Sequence, residues 1–156
     1  MAYENESSQF VVFRLDKEEY AFDISHVREI HTLQEIAKVH RAPEYIEGVM
    51  NLRGKLITII DLRKRFKLDA KAPDGSSRIV VVDSSDAPVG FLVDEVKEVI
   101  RLAKESIEPI PDYVAQGIES EYVLGIAKQE SRLITLIDPA KVLELSCGSE
   151  GSDGGN

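Results

Sequence analysis

The chain repeats itself. Phe10-Val11-Val12-Phe13 lies 69 positions before Ile79-Val80-Val81-Val82, and the same offset places Phe22 on Phe91, Val27 on Val96, Arg28 on Lys97, Glu29 on Glu98 and Ile30 on Val99. Further along, Leu56-Ile57-Thr58-Ile59-Ile60-Asp61 returns as Leu133-Ile134-Thr135-Leu136-Ile137-Asp138 at an offset of 77. One hexamer of β-branched residues can match by composition, but two blocks in the same order mark structural repeats. The second half therefore carries about eight extra residues. They are expected in the Pro-containing stretch Ile107 to Ile118, because surface loops tolerate insertion.

Each half reads mainly as strands: Phe10 to Leu15, Tyr20 to Ile24 and Leu56 to Ile60 are rich in Val, Ile, Phe, Thr and Tyr. Asp16-Lys17-Glu18-Glu19 and Ser84-Ser85-Asp86-Ala87 have the polar composition of hairpin turns. Val27-Arg28-Glu29-Ile30 and Val96-Lys97-Glu98-Val99 fit either an edge strand or a helical turn. Asp61 and Asp138 are placed to N-cap short helices, with Pro139 at a first helical position and Leu62 and Phe66 on one apolar face. The pattern predicts an all-β fold with short helices, in which two small antiparallel barrels pack side by side. It predicts one folded unit over 9–145: a first barrel over 9–68, a linker over 69–77, a second barrel over 78–145, and flexible tails at 1–8 and 146–156. Halves of this size have marginal cores alone, so they are expected to share one.

With 19 Lys+Arg against 28 Asp+Glu the formal net charge is −9. That balance argues against general nucleic-acid binding, which demands a Lys/Arg-rich face. No apolar run approaches the ~18 residues of a membrane span. Met1 to Ser8 is polar and acidic, which predicts no secretory signal, and the single Cys147 fits a reducing cytosol.

No catalytic motif is visible. Gly54-Lys55-Leu56 lacks the spacing and the Ser/Thr of a phosphate-binding loop, and no Gly-x-Ser-x-Gly surrounds any serine. His26, His31 and His40 match no close metal-ligand spacing and read as surface or partly buried histidines, so no metal or cofactor is expected. Neighbouring acids such as Asp94 and Glu95, or Asp23 and Glu29, are expected by number alone in so acidic a chain. A small hydrolase using them would need a deep pocket with raised carboxylate pKa values. Arg63, Lys64, Arg65 and Lys67 read as the solvated face of a short helix, or as a contact for an acidic protein surface. In Asn51-Leu52-Arg53-Gly54, Gly54 allows a turn that projects Arg53, either for recognition or simply into solvent. The second half has Lys128-Gln129-Glu130 near that place, so the element is not expected to be needed for the barrel itself.

The ordered series Phe10 to Leu15, Tyr20 to Ile24, Val27 to Ile30, Pro43 to Gly54, Ile59 to Arg63, Val89 to Asp94 and Leu133 to Asp138 resembles the CheW family of chemotaxis coupling proteins, over about residues 9 to 145. The same fold forms the regulatory domain of the CheA histidine kinase and one half of CheV. The resemblance implies two SH3-like β-barrels and a non-catalytic adaptor in the cytoplasm, at receptor arrays beneath the membrane. Its implied partners are chemoreceptor cytoplasmic tips and the kinase's regulatory domain, with self-association in array rings left open. Carried over by position, the receptor groove includes Val27, Ile79, Val96 and Val99, with Glu29, Gly48, Asn51 and Arg53 nearby. Kinase contacts would use Leu15 and Leu56 in the first half, and Ile107, Glu108 and Tyr113 in the inserted loop. Glu108 and Glu47 stand where basic residues occur in some members. A paralogue serving another receptor–kinase array would share every motif quoted.

Overall fold

The computed structural model describes residues 7–69, 71–84, 87–109 and 122–143. Strands run β1 Ser7–Leu15, β2 Glu18–Asp23, β3 Val27–Thr32, β4 Ile46–Leu52, β5 Lys55–Asp61, β6 Arg78–Val82, β7 Val89–Val93, β8 Glu95–Ala103, β9 Ile107–Glu108, β10 Val123–Gln129 and β11 Arg132–Ile137. Helix α1, Leu62–Arg65, follows β5, and helix α2, over 139–143, follows β11. The segment that fitted either a strand or a helical turn is an edge strand in both repeats, β3 and the start of β8.

Two sheets form, in the orders β8-β1-β2-β11-β10-β9 and β3-β6-β7-β5-β4. They are the same sheet built twice. Val11 pairs with Val99 as Val80 pairs with Ile30, and Thr135 pairs in parallel with Tyr20 as Thr58 pairs with Val89. Where β9 lies along β10, Ala37 bridges to Val49 on β4. Each sheet curls around its own apolar cluster: Phe10, Val12, Ile100 and Ile134 in one, Ile57, Ile59, Ile79 and Val81 in the other.

The strands are nevertheless exchanged between the repeats. The β1–β2 hairpin pairs with β8 and β11, and the β6–β7 hairpin pairs with β3 and β5. A boundary at 69–77 with one barrel on each side therefore does not describe the pairing; each barrel draws strands from both halves. The cause lies in the unbroken apolar runs. Phe10 to Phe13 and Ile79 to Val82 are buried on both faces. Phe10 and Val12 point into one barrel, while Phe13 joins Phe22, Val80, Val82, Phe91 and Ile137 in a third cluster between the sheets. A strand buried on both sides loses the polar alternation of a half-exposed one. These central hairpins thus belong at once to a barrel and to the shared core.

Both expected caps form. Asp61 Oδ1 accepts from Arg63 N and Asp138 Oδ1 from Ala140 N, each at 3.0 Å. Their own amides donate to Tyr45 O at 2.8 Å and Tyr122 O at 2.9 Å, so the repeat extends to the tyrosines. Arg65 lies over both rings, 5.3 Å from the Tyr45 centroid and 5.7 Å from that of Tyr122. Arg63 turns inward at 5% exposure, with Nη1 2.6 Å from Asp94 Oδ2, Nη2 3.3 Å from Asp16 Oδ1 and Nε donating to Asp69 O. The basic cluster is thus not one solvated face. Two of its arginines hold the halves together, because the short helix sits between the sheets rather than on the outside.

Candidate functional site

Strand β3 alternates: Val27, Glu29 and His31 are half-buried, while Arg28, Ile30 and Thr32 are exposed. Glu29 and His31 stand opposite Val81 and Ile79 of β6, on the side of that barrel's apolar cluster. β3 and β4 are the two outer strands of this sheet, and the turn after β4 reaches across the gap between them. Arg53 takes φ 54° and Gly54 φ 86°, and Asn51 Oδ1 accepts from Gly54 N at 2.9 Å, which fixes the turn. Arg53 Nη2 then donates to Glu29 Oε2, and His31 Nε2 lies 2.7 Å from Glu29 Oε1. The bond from Arg53, then that from His31, holds the Glu29 carboxyl below its usual range.

Beside this ion pair lies an open groove with a floor of Leu52, Ile57, Val81 and Pro88 and a rim of Arg28, Arg53 and Lys55 facing Glu29. Arg28 is paired with Asp83 at 3.0 Å. A shallow apolar floor under a charged rim suits a helix with alternating apolar and charged side chains.

The other sheet carries the counterpart. Glu98, the equivalent of Glu29, receives Arg132 Nη1 at 2.6 Å, and Arg132 also donates to Glu19 through Nε at 3.0 Å and Nη2 at 2.8 Å. Arg132 follows its turn, whereas Arg53 lies within its own. The charged clasp is therefore common to both barrels. The sequence offered Arg53 alone, because the clasping arginine occupies different positions in the two hairpins.

The remaining expected residues fall in different places. Asn51 is exposed at the groove's turn. Val27 and Val96 pack side chains against the shared core from equivalent edge positions, and Val99 is exposed on β8, at the edge of the other sheet. Ile79 is fully buried beneath the groove and offers no surface, since β6 is covered on both faces. Gly48, at φ 148°, admits a crossing segment: a Cβ there would lie 2.2 Å from Ala37 O. Gly125 does the same for Glu108 O, at 2.8 Å. Leu15 is also fully buried, its side chain in the shared core beside Phe13, so it cannot meet a partner. Leu56 is 69% exposed, Glu108 is exposed, and Ile107 packs on the barrel containing Phe10. Tyr113 and most of the inserted loop lie outside the described residues.

The space beside Asp61, Arg63 and Asp94 is ≈ 10 Å³, room for about one water and no substrate. Burial raises the Asp61 carboxyl, but that group caps α1. Among the described residues no helix is long and apolar enough to cross a membrane.

A CheW-like domain model matches residues 9–147. The chain is 34% identical to the chemotaxis protein CheW of Klebsiella aerogenes over 143 residues, 92% of this chain and 86% of that protein. It is 35% identical to the Bacillus subtilis chemotaxis protein CheW over 136 residues, 87% and 86% of the two chains. In three dimensions it is similar to the crystal structure of the scaffolding protein TtCheW from Thermoanaerobacter tengcongensis, with TM-score 0.82, 39% identity and coverage of 88% of this chain and 92% of that one.

Proposed function

The chain belongs to the CheW family of chemotaxis scaffolding proteins, and from that membership we propose that it joins the cytoplasmic tip of a chemoreceptor to the regulatory domain of a CheA-type histidine kinase. Its part in the array is geometric, not catalytic. It holds the two partners in register and passes conformational bias between them, in the cytoplasm beneath the membrane.

The observation that carries the receptor contact is the Glu29–Arg53 clasp at the lip of an apolar groove. Arg53 is 65% exposed, so a partner carboxylate can reach its remaining donors without unfolding the turn. Val27 precedes Glu29 by two residues on β3, and Asn51 fixes the turn that carries Arg53. The kinase contact is assigned to the exposed Leu56 on β5, with Ile107, Glu108 and Tyr113 at the inserted loop. Aromatic and aliphatic anchors of this kind dominate protein interfaces, while charged rims tune specificity and association rate.

Binding isotherms against a receptor-tip fragment and a kinase regulatory domain from the same cell, taken separately, test this assignment. Both bind the wild type, and Arg53→Ala lowers receptor affinity by about ten-fold or more while sparing the kinase domain. A folded wild type that binds neither partner contradicts the adaptor reading. Unchanged receptor binding by Arg53→Ala removes that residue from the site.

A further inference from the structure

Glu29 is held from two sides. Its carboxylate takes a bond from Arg53, which is largely exposed, and another from His31, whose side chain is only 19% exposed. The Glu29 side chain is itself 23% exposed. If Arg53 leaves to meet a partner's carboxylate, His31 is the protein donor that stays on Glu29 among the described residues. We propose that His31 is a positioning residue for this groove: it retains Glu29 while Arg53 exchanges onto an acidic side chain of the partner helix, and proton uptake by His31 strengthens that exchange. The inference rests on the receptor reading of the groove given above.

The charge arithmetic sets the sign. Neutral imidazole donates from Nε2 but leaves Glu29 uncompensated once Arg53 has moved. Imidazolium donates the same bond and also cancels the charge. The exchange therefore costs less at low pH, and an acidic partner binds more tightly there. The other charges around His31 do not reverse this. On β6 the residues facing it and Glu29 are Ile79 and Val81. From the β4–β5 turn come two basic side chains, Arg53 and Lys55. Arg28 is occupied by Asp83, and Arg78, opposite Thr32, donates to Gly75 O and Ser77 O. The Lys55 side chain makes no hydrogen bond or ion pair among the described residues and adds standing attraction for a carboxylate.

The test is the affinity for the receptor-tip fragment at about pH 8 and about pH 6, for wild type, His31→Gln and Glu29→Gln. Glutamine at position 31 keeps a donor but takes up no proton, so the histidine's charge is removed without removing its bond. Wild type gains about five-fold or more in affinity on acidification relative to His31→Gln, and Glu29→Gln loses the same pH response. Equal pH ratios for wild type and His31→Gln overturn this inference alone. No binding by wild type at either pH overturns the adaptor reading, and this inference with it. Unchanged affinity of His31→Gln for the kinase regulatory domain verifies that the variant is folded.

Discussion

Phe22 and Phe91, equivalent residues of the two repeats, meet ring to ring across the shared core, their centroids 5.5 Å apart and their planes at 48°. Each lies in a hairpin that has crossed to pair with the other half. The contact therefore marks where the duplication closes on itself, and no half of the chain owns it.

Truncating one ring tests that closure. Phe91→Ala removes a fully buried aromatic and should cost about 3–5 kcal/mol. Because both barrels share this core, unfolding in urea should remain one transition followed alike by probes in either half. Two separated transitions would mean that the barrels fold independently.

Much of this fold is legible in the chain. The two edge strands fit a helical turn equally well, whereas the β-branched blocks and the acidic caps at Asp61 and Asp138 follow from local pattern. The exchange of hairpins does not, and for a physical reason. Ile30 and Val99 are equivalents, so Val11 finds the same kind of partner in its own half as in the other. Pattern alone leaves those two pairings degenerate, and long-range packing decides between them. Leu15 and Ile79 escaped for a related reason, since an apolar residue on a strand buried on both sides looks like one that faces a partner. Arg63 is buried against an acid 31 residues away, which no local reading of a basic run reveals. In the site, Arg53 is legible at its glycine-bearing turn, and Glu29 only through the family resemblance. Their clasp is not, because it joins the two outer strands of a curled sheet.

The Arg63–Asp94 pair is a buried ion pair between the halves. Asp94→Ala leaves a buried guanidinium without its closest partner and should cost about 3–5 kcal/mol. Asp94→Asn, which keeps an acceptor for Asp16 N, should cost less. A double-mutant cycle with Arg63→Met in urea measures the coupling. Coupling near zero would show that the two residues act separately.

Tyr20 sets an alkaline limit. Burial, with Glu18 and Asp16 nearby, pushes its phenol up from 10.0 to about 12. A raised folded value means that the neutral form stabilises the fold fully below about pH 10. This contribution, on the order of 2–3 kcal/mol, is lost as pH climbs toward 12. Tyr20→Phe should flatten stability over that interval, as read by urea midpoints against pH. An identical alkaline limb in the variant would place the effect elsewhere.

Leu56 separates surface function from folding. At 69% exposure it supports no core, so Leu56→Glu should change stability by less than about 0.5 kcal/mol. The same substitution should weaken binding to the kinase regulatory domain by about ten-fold or more and leave the receptor tip unaffected. Full kinase affinity in the variant would move that interface off β5.

Coupling itself is read most directly as kinase autophosphorylation in a reconstituted mixture of receptor, kinase and this protein. With wild type present, kinase activity should follow receptor state. Arg53→Ala and Leu56→Glu should each abolish that dependence while each retains binding to the partner whose contact it leaves intact. Kinase activity that ignores the receptor in the presence of wild type, or that follows it equally well with both variants, would contradict the account.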